Sequence, residues 1–107
     1  MEISEENRRI ESGVIEVLKT IYDPEIPVNI YELGLIYNVI VGDDKRVKVR
    51  MTLTSPNCPV AESLPIEVKE RVKLVAGVRD AEVEIVFDPP WSKEMISEVA
   101  MLELGML

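Results

Sequence analysis

The sequence has no histidine and no glutamine, and it carries one cysteine, one tryptophan and one phenylalanine. Without histidine, a Cys-His nucleophilic dyad is excluded unless another subunit supplies the base. A lone cysteine forms no internal disulfide and no intrachain CxxC redox pair, which argues against a bridge-stapled secreted scaffold. No apolar run approaches the ~18 residues that a membrane span needs. The opening MEISEENRRI is charged and has no signal-peptide core, so a soluble, cytoplasmic protein is expected, with no membrane partner. Basic residues are also few: 12 against 20 acidic ones, a formal charge of -8. That balance opposes a phosphate backbone, and nucleic acid is not an expected partner.

What is present suits a small folded unit. A chain of 107 residues, 47% hydrophobic, has enough apolar surface for one modest core, and residues 1-107 are expected to form a single domain. Abundant Lys and Glu with scarce amide side chains lean toward a heat-adapted source.

Ser4 with Glu5 and Glu6 marks a helix start, and Ile10, Val14, Val17, Leu18 and Ile21 follow at helical spacing, predicting a helix from about 5 to 21. Pro24 and Pro27 then make "YDPEIPVNIYELG" an ordered loop. "LIYNVIV" (35–41) and the alternating Val47, Val49, Met51 and Leu53 flank the turn "GDDK", which predicts a hairpin. Ala61, Leu64, Val68, Val72 and Val75 stripe a second helix ending near Gly77, and Pro65 leaves its first turn undecided. "AEVEIVF" (81–87) reads as a strand with Ala81, Val83, Ile85 and Phe87 inward. Its Glu82 and Glu84 would meet Lys48 and Arg50 if the second and third strands were neighbours. Ser92 is then expected to cap a last helix striped by Met95, Val99, Leu102 and Met106. The expected architecture is an α+β two-layer sandwich of order αββαβα, with helices packed on a small mixed sheet.

The chemistry gathers around "TLTSPNCPVAES". Pro59 suits a first helical position, which makes Cys58, between Asn57 and Pro59, an expected N-cap whose thiol is biased toward thiolate. A small buried hydrophobe is the other reading, and the residues alone leave both standing. Iron–sulfur clusters ordinarily take four thiolates, so a metal role needs a second copy, a partner protein or oxygen ligands. Candidate oxygens lie on Asp23 and Glu25 of the proline-stiffened loop and on Thr52, Thr54 and Ser55 near the strand end. On spacing alone Asp23 and Glu25 read first as acids solvating a loop, and Thr52 and Thr54 read equally as ordinary strand residues on the wet face. Trp91 reads as an anchor for the last helix or as a wall beside the cysteine loop. The tail "AMLELGML" is apolar on several sides, which suits core packing or a dimer or partner contact.

Three segments, "DPEIPVNIYELGLIYNV", "TLTSPNCPVAESLP" and "VFDPPWSKEMISEVAMLELG", resemble in that order the iron–sulfur assembly factor family, which includes SufT-like and PaaD-like proteins. The resemblance implies a fold like the C-terminal domain of NifU-type scaffolds. It also implies a role in maturing or targeting iron–sulfur proteins, with assembly machinery and client apoproteins as partners. It assigns the reactive cysteine to Cys58, the acidic motif to Asp23 and Glu25, strand-end hydroxyls to Thr52 and Thr54, and the tryptophan to Trp91. Asn29, Glu32, Leu33 and Gly34 match the segment after the acidic loop. NifU-type domains carry a CxxC where this chain has "NCPV". Iron or a cluster would therefore be held transiently and shared with a partner. No phosphate-binding Gly-rich loop is present. Two other readings remain at this level: a thiol catalyst that handles persulfide, and an interaction module with an inert Cys58.

Overall fold

In the computed structural model, which describes residues 4–23, 26–54 and 60–105, helix α1 spans Glu5–Leu18. Ser4 caps it, its Oγ accepting from the Asn7 N–H at 3.1 Å, and Glu5 and Glu6 complement the positive end of the helix dipole. Ile10, Val14 and Leu18, spaced by one helical turn, are buried. The helix ends three residues before the expected boundary. Ile21 instead accepts from the Ile30 N–H at 2.8 Å, beside a short antiparallel bridge between Tyr22 and Asn29. Asp23, which precedes a proline, is disfavoured from helical geometry, and its N–H bonds the Val28 carbonyl.

The expected hairpin is present as β1 (Ile36–Val41) and β2 (Arg46–Met51), antiparallel, with an irregularity between Ile36 and Asn38. Helix α2 (Val60–Lys73) runs continuously through Pro65. It returns the chain to β3 (Asp80–Ile85), which pairs parallel with β2, as a helical crossover permits. The sheet order is β1-β2-β3. Strands two and three are therefore neighbours, as the charge pattern suggested. The result is a small α+β fold with a three-stranded mixed sheet.

Helix α1 packs on β1, α2 packs on β3, and the two helices touch each other. Val47, Val49 and Met51 of β2 face them at no more than 1% exposure, and Leu64, Val68 and Val72 of α2 are buried in the same core. Each such side chain contributes about 1.5–3 kcal/mol by leaving water. The alternation read in β2 is thus realised as one buried and one open face.

Two expectations toward the C-terminus fail. Phe87 is half exposed, because β3 stops at Ile85 and the strand alternation stops with it. Ser92 makes no side-chain cap. It precedes a single 3-10 turn (Lys93–Met95), and the true N-cap of α3 (Glu98–Glu103) is Ser97, whose Oγ accepts from the Ala100 N–H. The later start rotates the helix, so Ile96 and Ala100 are buried while Val99 and Leu102 are 59% and 64% exposed.

Candidate functional site

The segment Asn29 to Leu35 is the hub of the site. Asn29 Oδ1 accepts from the Glu32 N–H at 2.9 Å, and the Leu33 N–H closes a helical turn on the Asn29 carbonyl at 3.0 Å. Four positions of this segment, Ile30, Glu32, Leu33 and Leu35, bond to other parts of the chain. The Ile30 N–H bonds Ile21, beside the acidic loop, and the Leu35 carbonyl accepts from the Thr52 N–H at 2.8 Å. Trp91 Nε1 donates to the Leu33 carbonyl at 2.8 Å, and the Ser97 N–H donates to the Glu32 carbonyl at 2.8 Å.

Gly34 completes the hub. Its φ of +87° favours glycine, and a Cβ there would strike the backbone carbonyl of Met95. Sequence resemblance singled out Asn29, Glu32, Leu33 and Gly34 without a physical reason. The structure supplies one: they build the turn that, with Ile30 and Leu35, ties the acidic loop, the end of β2 and the tryptophan segment to one another.

Asp23 is 4% exposed, so it is not a solvated loop acid. Its Oδ1 accepts from the Ile26 N–H at 3.1 Å, and its own N–H bonds the Val28 carbonyl, which stiffens the loop. Thr52, expected as an ordinary wet-face strand residue or a ligand, is fully buried, and among the described residues nothing hydrogen-bonds its Oγ1. A buried hydroxyl in that state costs roughly 1–3 kcal/mol and calls for an explanation. Thr54 is half-buried. Trp91 is partly buried against the core and held by its indole N–H. Glu25, Asn57, Cys58 and the expected cap at Cys58 and Pro59 lie outside the described residues. Among the described residues no group of three or more Cys, Asp or Glu could hold a metal ion.

The open face of the sheet carries a second arrangement that sequence reasoning only half anticipated. Glu84 Oε2 lies 3.2 Å from Lys48 Nζ and 3.1 Å from Arg50 Nε. The Lys48 ammonium in contact with it, with the nearby Arg50 charge, holds the Glu84 carboxyl below its ordinary value of 4.5 against an opposing desolvation effect. Beside this cluster the segment after β3 folds back, and Tyr37 donates its hydroxyl to the Pro89 carbonyl at 2.7 Å. A cleft of about 580 Å³ opens there, lined by Ile36, Tyr37, Arg50, Val86, Asp88 and Met95. Its walls come from segments far apart in the chain, so no local pattern could reveal it.

Residues 11–85 match the model of a family described as iron-sulfur cluster assembly protein. A protein of Porphyromonas gingivalis named Fe-S protein maturation auxiliary factor is 54% identical over 97 residues, covering 91% of this chain and 92% of that one. The Bacillus subtilis protein named Fe-S protein maturation auxiliary factor YitW is 38% identical over 96 residues, with coverages of 90% and 94%. Among solved structures, a domain of unknown function from Bacillus anthracis superposes with a TM-score of 0.86 at 36% identity, covering 94% of this chain and 95% of that one.

Proposed function

Since the chain belongs to the iron–sulfur cluster assembly protein family, we propose that it serves in iron–sulfur cluster assembly or targeting, as a cytoplasmic, non-enzymatic factor. In this reading residues 1–107 act as one domain of NifU-like fold. The Cys58 thiolate contacts iron, a cluster in transit or a client apoprotein. Asp23, Glu25, Thr52, Thr54, Asn57 and Trp91 shape its surroundings. The cluster is cargo, and with one thiol per chain its remaining ligands come from a partner.

The observation that carries the reading is the Thr52 hydroxyl, buried without a partner among the described residues. It stands at the end of β2, three residues before the segment that contains Cys58. A donor held out of water at such a point is suited to a thiolate or a sulfur ligand that arrives only with cargo, because anionic acceptors form the stronger hydrogen bonds. The buried Asp23 adds a rigid wall at the same hub and no mobile base.

The test is anaerobic incubation with ferrous iron and sulfide, followed by addition of a client apoprotein. Wild-type protein is expected to raise client activation, and Cys58→Ser to reduce it to the level without factor. If the two proteins assist the client equally, the thiol reading is wrong. A titration of thiol reactivity adds a second check: a Cys58 pKa at the free value of about 8.5 removes the thiolate argument.

A further inference from the structure

Among the described residues the sheet has two open edges, and their chemistry differs. Strand β3 carries Asp80, Glu82 and Glu84 in six residues, whereas β1, "IYNVIV", carries no charge and no proline. In a chain of net charge -8, two copies meet with least repulsion where charge is absent. Charged or proline-bearing edges are the usual protection against strand pairing, and β1 has neither.

The backbone of β1 specifies how a partner strand would fit. The Gly42 N–H bonds the Arg46 carbonyl at 2.9 Å, so Gly42 and Arg46 form a hydrogen-bonded pair. Alternation along the ladder, with Val41 opposite Val47, Ile40 opposite Lys48 and Val39 opposite Val49, then turns the N–H and C=O groups of Val39 and Val41 away from β2. Their side chains lie on the core face yet are only partly buried, while Val47 and Val49 beside them are sealed. The apolar layer thus continues to the edge and stops unfinished. On the other face Ile40 is 49% exposed.

We infer that β1 is the contact between two copies of this chain, paired antiparallel about a two-fold axis at Ile40. In that register Val39 bonds Val41 of the second copy and Val41 bonds its Val39. Ile40 then faces its own counterpart at a non-hydrogen-bonded position, where Cα atoms approach to about 4.5 Å. The two sheets become one continuous mixed sheet. The ends of β2 at Met51, which lead toward the thiol segment, fall at opposite ends of it, at least roughly 20 Å apart at ~3.4 Å per residue. The inference stands independently of the thiol reading.

Three variants decide it. Sedimentation of the wild-type chain should show a monomer–dimer equilibrium, and Ile40→Lys, which sets like charges face to face at an exposed position, should weaken it at least tenfold. In a Cys58→Ser background, Ile40→Cys should form a disulfide-linked dimer with oxidised glutathione, since its separation suits a disulfide. Asn38→Cys, offset from its counterpart in this register, should link at least tenfold more slowly. A wild-type chain monomeric at millimolar concentration, a dimer indifferent to Ile40→Lys, or equal linking at both positions overturns the inference.

Discussion

At Thr52 a hydroxyl has been withdrawn from water without a partner among the described residues, which no gain in folding requires. Valine has the same shape and no polar atom. Thr52→Val is therefore expected to stabilise the fold by about 1 kcal/mol, roughly 4–8 °C in melting temperature, while client maturation falls. Calorimetry alongside the client assay checks both halves, and a drop in stability would show that the hydroxyl is already satisfied. Gly34 makes the opposite case, a residue whose value is wholly structural. Gly34→Ala adds left-handed strain and a collision with the Met95 carbonyl. It should cost about 2 kcal/mol or more in chemical denaturation and loosen Trp91 from Leu33, which would appear as a shift in tryptophan emission.

At the scale of elements, the pairing of β2 with β3 makes one carboxylate answer two cations. Glu84 has its folded value depressed, chiefly by its contact with the Lys48 ammonium. Its contribution is therefore complete above the ordinary value of 4.5 and disappears as pH falls through the depressed folded value. Between about pH 5 and pH 3, stability of the wild type is expected to fall more steeply than that of Glu84→Gln. Parallel slopes in urea melts across that range would remove Glu84 as a source of acid sensitivity. All three side chains are about 40% exposed, so added salt should flatten the difference.

The same element scale shows how far local pattern carries. The β2 alternation, the α1 stripe and the adjacency of β2 and β3 were legible, because each depends on periods of two or 3.6 and on charge pairing along neighbouring strands. The C-terminal helix was misphased. Ser92 and Ser97 both satisfy the local rule for a cap, and only the Ser97 N–H bond to Glu32 settles which serine begins the helix. Ile21 likewise fits a helical period, yet a contact with Ile30 from nine residues away claims it.

For the whole molecule, the resemblance named the residues of the candidate site, and the fold explains why several of them travel together. Glu32 and Leu33 take part through their carbonyls, Asn29 through a side-chain cap, and Gly34 through its positive φ. They matter because one tight turn receives the acidic loop, the strand end and the tryptophan segment at once. The exposed Val99 and Leu102, the cleft beside Arg50 and the uncharged β1 edge arise only from assembly of distant segments.

By itself the sequence determined the element types, the buried face of β2, the absence of a histidine base and the limit of one thiol per chain. Each follows from residue identity or from a period counted along the backbone. Tertiary structure alone decided that Thr52 is sealed from water, that Glu84 serves both Lys48 and Arg50, and that β1 ends the sheet. Those depend on which surfaces meet, and burial, pairing and edges are properties of contacts between segments that no single stretch contains.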